Sequence, residues 1–489
     1  MSALVHRVAA ADVATFEVKA WRDDLLRRAR GGARVVTLFG RRLDEERVSI
    51  TSVFEEAGRL EVTRTNATRA HGYHELTSEL PALHCFEREL HEQTGLRIAA
   101  HPWLKPIRYE GQEQSAMNQF PFYTIEGKEV HEVAVGPIHA GVIEPGSFRF
   151  MCLGERVHHL EIHLGYQHRG VERRLLERDP RRLAPLVETI AGDTSVAHAW
   201  AYAAALERLT DAPPLAVEIE VARAVALELE RIAMHLAGLS GLAADVGFLQ
   251  GATTYGRLRT TAINTSMRLC GSRFGRGAVR PGGVGMQLPP DLARDVEANL
   301  ALLRKDLAII NPLFLEARTV QHRLVGVGAL GVERARALGL VGMAARSAGV
   351  AIDARQGRTS GAYAAVPIAA HTFDEGDCWA RARIRIAEME ASLGWLESAL
   401  RQHGRWDQAR APIERLAPGA LAVAVVEGWR GEVVHALETD GEGRLVHYKV
   451  QDPSLRNWMG LAIAVRENEI SDFPICNKSF DLSYCGNDL

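Results

Sequence analysis

Among the histidines between residues 130 and 200 are His139, His158, His159, His163, His168 and His198. Imidazole titrates near pH 6.5, so each is suited either to metal ligation or to proton transfer. None stands in an H-E-x-x-H arrangement, and taken singly each reads as a hydrogen-bonded structural histidine. A second set sits in Leu227-Glu-Leu-Glu-Arg-Ile-Ala-Met-His235. Glu228, Arg231 and His235 are spaced three and four apart, which puts all three on one face of a helix. That face is either a solvated ion-pair row or, given the apolar residues around it, a buried network in which every charge needs a partner.

The six cysteines, Cys85, Cys152, Cys270, Cys378, Cys476 and Cys485, include no C-x-x-C pair. In a chain without a secretion signal they read as buried or incidental thiols, and a self-contained zinc or iron–sulfur site is not expected. Gly326-Val-Gly-Ala-Leu-Gly331 fits G-x-G-x-x-G. A helix-like segment precedes it where a dinucleotide site needs a strand, so it reads as a turn.

The elements that must position these groups fall into two textures. Phe16 to Arg30 has a helical pattern, Ala33–Phe39, Val48–Phe54 and Arg59–Arg64 read as strands, and Glu75 to Thr94 reads as a helix ended by Gly95. This is an α+β unit with its boundary expected in the polar stretch Tyr109 to Asn118. Strand-like alternation occupies residues 130 to 165, and long amphipathic segments follow at Arg181–Leu209, Leu215–Leu242, Ala293–Ile310 and Cys378–His403. Strands return at Leu421–Val426, Glu432–Glu438 and Arg444–Val450. The expected fold class is α+β: a small N-terminal α+β domain, then a large mainly α-helical bundle domain with antiparallel strands at its N- and C-terminal ends.

A length of 489 residues leaves room for two or three domains, and a net charge of −3 argues against a phosphate-tracking surface, so no nucleic-acid partner is expected. No run of about 18 uncharged apolar residues occurs. Met1 to Ala20 carries Asp12, Glu17 and Lys19 and does not read as a signal peptide, which makes the cytoplasm the expected location.

Phe86-Glu-Arg-Glu-Leu-His-Glu-Gln-Thr-Gly95 with His101-Pro-Trp-Leu-Lys-Pro106 resembles the C subunit of NADH:quinone oxidoreductase, respiratory complex I. Gly136-Pro-Ile-His139, Glu144-Pro145, Gly154-Glu155 and Gly165-Tyr-Gln-His-Arg-Gly-Val-Glu172 resemble the D subunit and the related large subunits of nickel–iron hydrogenases. The likeness runs on through the Glu228–His235 helix, Gly271-Ser-Arg273, Arg280-Pro-Gly-Gly-Val284, Gly342 to Arg355 and Gly376-Asp-Cys-Trp-Ala-Arg381. Both units in this order resemble the large subunit of membrane-bound, energy-converting hydrogenases of the formate hydrogenlyase type. The resemblance implies a C-like domain at residues 1–125 and a D-like domain at 126–489.

It also implies a role. Such a subunit belongs to an oxidoreductase acting on NAD(P)H or a quinone, in which quinone and NAD binding are properties of the complex and NADH is oxidised elsewhere. No cofactor is expected on this chain alone. Iron–sulfur clusters are expected in a small partner subunit of the complex I B type, alongside a ferredoxin-like subunit and antiporter-like membrane subunits at the inner face of the cell membrane. The family's hydrogenases hold nickel with two C-x-x-C pairs, because such a centre needs soft thiolates. Here the ligand positions fall on Ala191, Thr194, Ser483 and Gly486, so no metal is expected. Of the complex I quinone grip, a loop histidine is kept at His139, whereas the second loop histidine falls at Ile143 and the tyrosine at Gly192. The expected catalytic set is His139, Asp193, His198, Asp245 and Arg430, facing a quinone or another acceptor and coupling electron flow to ion transport. The rivals are a redox-silent scaffold and, more remotely, a hydrogenase with altered ligands.

Overall fold

The computed structural model describes residues 4–111, 116–117, 119–141, 143–356 and 361–489. The chain opens with strand β1 (Leu4–Ala9), a short β2 (Ala14–Phe16), helix α1 (Val18–Arg30), strands β3 (Arg34–Arg42), β4 (Arg47–Glu56) and β5 (Arg59–Thr68), and helix α2 (His84–Thr94). Strands β6 (Val130–Val135), β7 (Ser147–Leu153) and β8 (Arg156–His163) form an antiparallel sheet. Long helices follow: α3 (Ser195–Arg208), α4 (Val217–Asp245), α5 (Leu249–Cys270), α6 (Pro290–Glu316) and α7 (Cys378–His403). The C-terminal part holds β9 (Ala420–Glu427), β10 (Glu432–Thr439) and β11 (Leu445–Gln451), then α8 (Ser454–Ala464) and α9 (Phe473–Phe480). The fold is α+β, as the sequence pattern implied.

Strand β9 shows why the layers stack as they do. Every residue of Ala-Leu-Ala-Val-Ala-Val-Val-Glu is buried, and alternation sends its two sets of side chains to different neighbours. Ala420, Ala422 and Ala424 join the main core, where their small side chains let the alanine-rich α3 lie close. Leu421, Val423 and Val425 meet Val36, Phe39, Val53 and Val62 of the N-terminal sheet, whose strand order is β2-β5-β4-β3. Ion pairs of Arg34 with Glu432 (2.5 Å) and Arg64 with Glu438 (3.1 Å) link the same two sheets.

Strand β1 was not anticipated. It leaves the N-terminal sheet and pairs antiparallel with β9, from Leu4↔Val425 to Ala9↔Ala420, covering what would be an open edge. The boundary stretch Tyr109 to Asn118 lies partly outside the described residues.

Two expected helices are shorter than the sequence pattern implied. The helix read over Glu75–Thr94 begins only at His84. The Glu87 carboxylate accepts the backbone N–H groups of Leu76 (2.9 Å) and Thr77 (2.9 Å), which holds that segment as a turn, and Pro81 cannot continue a helical ladder. The helix read over Arg181–Leu209 is broken by a turn at residues 189–194 before α3 starts. In contrast, α5 was missed because its buried stripe is made of Gly251, Tyr255, Leu258, Ala262, Thr265, Ser266 and Leu269, too polar to register as an apolar face.

Helix α4 is the axis of the bundle, and Glu228, Arg231 and His235 on it are fully buried. Glu228 pairs with Arg231 (3.1 Å) and Arg355 (3.1 Å), and His235 bonds Glu388 (2.9 Å). The face is therefore the buried network and not the solvated row. The glycine motif follows a helix, Arg318–Leu324, and its N–H groups at Gly326 and Gly328 donate to Asp377 (2.7 Å) and Asn468 (2.9 Å), so it is a turn held by this chain's own side chains. Among the described residues no helix is long and apolar enough to cross a membrane.

One glycine sets the position of the β9–β10 turn. Gly342 has φ +64°, and a Cβ there would lie 2.0 Å from the carbonyl oxygen of Arg430. Gly342→Ala is expected to destabilise the chain by about 2 kcal/mol or more, from strain and overpacking together. Thermal or urea unfolding measures it, and an unchanged midpoint would contradict this packing.

Candidate functional site

The site begins at the start of α3. Thr194, its N-cap, makes no side-chain cap bond. The cap comes instead from α4, where the carboxyl oxygens of Glu230 accept the N–H groups of Val196 (2.7 Å) and Ala197 (3.4 Å). Ser195 Oγ donates to the carbonyl of Glu188 (2.9 Å), tightening the turn that carries Asp193.

Arg430 comes from the turn between β9 and β10. Its Nη1 and Nη2 donate to the two oxygens of Asp193 at 2.6 and 2.7 Å, Nη1 also donates to Thr194 Oγ1 (3.1 Å), and Nε donates to the carbonyl of Asp481. The guanidinium lies 3.9 Å from the Trp429 ring centre, and Trp429 Nε1 donates to the Asp193 carbonyl (3.0 Å). Arg430 is buried, whereas the Asp193 side chain keeps 36% of its exposure, so the pair has one open end. Burial disfavours the Arg430 charge, but Asp193 beside it more than compensates and raises its pKa.

The pair continues outward through alternating charges. Asp481 ends α9 in the left-handed region, and its carboxylate holds Lys478 (2.9 Å) and Arg385 (3.5 Å). Lys478 lies along α4, with its Cε 2.2 Å from where a Gly241 Cβ would stand. Asp245, exposed at the end of α4, feels this ammonium: partial burial pushes its carboxyl up and Lys478 pulls it back.

Behind the pair is a buried chain. His198 Nε2 is 3.1 Å from Asp452 Oδ2, His198 Nδ1 is 3.1 Å from His435 Nε2, and His435 Nδ1 is 2.8 Å from the Tyr448 hydroxyl. Burial works against ionising Asp452, but His198, Arg430 and Ser454 hold its carboxyl below the usual range. Desolvation, helped by His198, holds His435 far below the ordinary imidazole value. When His198 holds a single proton, Tyr448 donates to His435, His435 to His198, and His198 to Asp452; a second proton on His198 reverses the first two bonds.

The four positions at which the resemblance places thiolates, Ala191, Thr194, Ser483 and Gly486, fall in this region. Arg169 still joins the two segments that carry them, donating to the carbonyls of Thr189 (2.8 Å), Ile190 (3.0 Å) and Cys485 (3.4 Å). The donors, however, do not fit nickel. Ala191 offers only a buried methyl, the Thr194 hydroxyl is taken by Arg430, and Ser483 Oγ accepts the N–H of Gly486 (2.9 Å). At Gly486 a Cβ would meet the Asp452 carboxylate at 2.6 Å, so a cysteine there requires Asp452 to move. Cys485 Sγ is 3.4 Å from Ser483 Oγ, with burial pushing its thiol up to about 11, and Cys476 faces Cys378 at 3.9 Å.

Thus Asp193 and Arg430 are in direct contact, His198 stands behind them through Asp452, and Asp245 is linked through Lys478 and Asp481. His139 is not brought to Arg430. Its Nε2 bonds the Gly146 carbonyl of its own loop (2.8 Å), and that loop packs on Tyr484 of the C-terminal tail, with Glu144 beside Cys485. Ile143 is exposed, and Gly192 leaves open space where the family places a tyrosine. Asp452, His435, Tyr448, Asp481 and Glu230 were missed. Their signal in the sequence was polar residues inside otherwise apolar segments, as in Val433-Val-His-Ala-Leu437.

Glu230 yields a test of this geometry. Burial pushes its carboxyl up to about 8 from an ordinary 4.5, with the N–H groups of Val196 and Ala197 pulling the other way. The folded chain keeps a proton there that the unfolded chain releases, so this group's contribution to stability falls as pH rises from about 4.5 to about 8, then levels off. Glu230→Gln is expected to gain about 2 kcal/mol relative to the parent chain between pH 5 and pH 8, read by urea unfolding at both pH values. Parallel curves would contradict the protonated, buried carboxyl.

The model of the respiratory-chain NADH dehydrogenase 49-kDa subunit family matches residues 245–417. The chain is 30% identical over 354 residues to the carbon monoxide-induced hydrogenase of Rhodospirillum rubrum, covering 72% of this chain and 97% of that protein. It is 26% identical over 442 residues to formate hydrogenlyase subunit 5 of Escherichia coli, covering 85% of this chain and 77% of the relative. A chain in the structure of the membrane-bound sulfane sulfur reductase, an archaeal respiratory membrane complex, superposes with TM-score 0.69 at 24% identity, over 75% of this chain and 100% of that one, which shows a shared fold. The chain belongs to the family of complex I 49-kDa subunits and membrane-bound hydrogenase large subunits.

Proposed function

We propose that this chain is the nickel-free large subunit of a membrane-bound, complex I-like oxidoreductase, peripheral on the inner face of the membrane, that couples electron transfer to ion translocation. The observation that carries this reading is the ionic arrangement at the positions where the resemblance places thiolates: Arg430 on Asp193 and Thr194, with the Asp452 carboxylate against Gly486. The same cradle, still framed by Arg169, is suited to moving protons and not to binding a metal through sulfur. The partly open Asp193–Arg430 pair faces the acceptor, and the Tyr448–His435–His198–Asp452 chain supplies or removes a proton behind it. In this reading residues 1–125 form a C-like domain and 126–489 a D-like domain. A small iron–sulfur subunit delivers electrons to an acceptor such as a quinone, a ferredoxin-like subunit feeds it, and antiporter-like membrane subunits carry the ion. The reading is supported by relatives that are named as subunits of hydrogenase and formate hydrogenlyase systems.

Protonation at Asp193 or Asp452 changes the charge around a buried guanidinium, where electrostatic energies are large. That change is the means by which electron arrival alters helix positions. A catalytically silent scaffold is the second reading, favoured by the engagement of His139 Nε2 with the Gly146 carbonyl of its own loop.

The two readings separate in the assembled complex, assayed for donor-dependent quinone reduction. Arg430→Met and Asp193→Asn are expected to slow reduction about tenfold or more without loss of the subunit from the complex. Unchanged rates in both variants would establish the scaffold reading instead.

A further inference from the structure

A cavity of about 320 Å³ opens between the N-terminal unit and the large domain, away from the Arg430 cradle. Alternation along His159-Leu-Glu-Ile-His163 of β8 puts His159, Glu161 and His163 on one wall. His84 and Arg88 of α2 and Trp103 enter from the N-terminal side, and Trp458 and Arg466 from the C-terminal part.

Its polar groups are conspicuously unused. Both ring nitrogens of His84 and of His163, Trp458 Nε1 and Arg466 Nε have no hydrogen-bond partner among the described residues. These are buried side chains: His84 is 9% exposed, His163 2% and Trp458 6%. His163 thus departs from the structural, hydrogen-bonded histidine that its sequence context implied. An unsatisfied buried donor or acceptor costs about 1–3 kcal/mol, so several converging on one cavity mark a place where a ligand completes them.

The charges indicate which kind of ligand. The carboxylate of Glu161 is taken by Lys105 Nζ at 2.5 Å. Arg88 donates to the carbonyls of Lys105 (2.6 Å) and Pro106 (3.2 Å) and stacks on Trp103 at 4.2 Å. Arg466 reaches only His159 Nδ1 (3.2 Å). Neither arginine has a carboxylate in ion-pair range among the described residues, and burial lowers the pKa of both. Burial, reinforced by neighbouring cations, pushes His84 and His163 down to about 3, so both rings are neutral and able to donate or accept. The walls are otherwise apolar, with Leu164, Met459 and Ala462 beside the two tryptophans. Cavities of about 300–1,000 Å³ with mostly apolar walls and a few placed polar groups are the usual form of small-molecule sites.

We propose that this cavity binds a small organic carboxylate with a flat apolar body, its anionic group drawn to Arg88 and Arg466 and its ring held against Trp103 and Trp458. The neutral imidazoles and the Trp458 N–H give it further hydrogen bonds. The site is independent of the redox reading. Because it joins the two parts of the chain, its occupancy also stabilises their contact.

The test is titration of the full chain with 2-naphthoate, followed by calorimetry and by the fluorescence of the lining tryptophans. Saturable binding at one site per chain is expected, with affinity about tenfold or more weaker for the neutral 2-naphthamide and for 2-naphthoate on Arg466→Met. Trp458→Phe, which keeps the ring wall but removes the N–H, is expected to weaken binding several-fold and guards against a folding defect in the arginine variant. No saturable binding of 2-naphthoate, equal affinity for the amide, or unchanged affinity in both variants would overturn the proposal.

Discussion

A buried guanidinium cannot be left without partners, and Arg430 takes its partners from its own turn and from two distant parts of the chain. Asp193 and Thr194 come from the start of α3, Trp429 from its own turn, and the carbonyl of Asp481 from the tail. Removing one partner of such a group leaves an uncompensated charge, which is strongly destabilising, so these three segments are held in one arrangement. The arrangement explains features that are otherwise unconnected. Gly342 must lack a side chain because the Arg430 backbone lies against it, and Asp481 adopts a left-handed conformation that turns its carbonyl inward. The carboxyl group of Glu230 must cap α3 from α4, because Thr194 is engaged elsewhere.

The same interaction decides the chemistry. Four converging thiolates would carry concentrated negative charge and bind a soft metal, whereas this cradle sets one guanidinium between carboxylates and hydroxyls that bond each other. Asp452 is the hinge between two systems: its charge is held by His198 and Arg430, and its bulk excludes a side chain at Gly486. A single buried group thereby joins the exposed ion pair to an interior line of hydrogen bonds ending at Tyr448. The energetics of such a hydrogen-bonded line of titratable groups respond to charge arriving nearby.

Much of this was legible in the sequence. Strands β3, β4, β5, β9, β10 and β11 and helices α1, α4 and α7 follow from local periodicity, since their buried faces are built from large apolar residues. The membership in the family of complex I 49-kDa and hydrogenase large subunits followed from the motifs. What escaped has physical causes. β1 carries no signal of its own because its partner, β9, lies over four hundred residues away. α5 hides its inward face behind threonine, serine and glycine. The break before α3 depends on the Glu230 carboxyl group reaching from another helix, which no local window contains. Within the site, Asp193 and Arg430 were named without any local sign that they touch, and His139 was grouped with them although its Nε2 bonds the Gly146 carbonyl of its own loop.

The central claim is that an ionic cradle has taken the place of a thiolate metal centre. Metal content tests it most directly: the intact complex, expressed with abundant nickel and with hydrogenase maturation factors present, is purified and its nickel measured by plasma mass spectrometry. The account predicts nickel far below one atom per chain, on the order of background, because no soft ligand set exists to hold it. Stoichiometric nickel that survives chelation and gel filtration would contradict it.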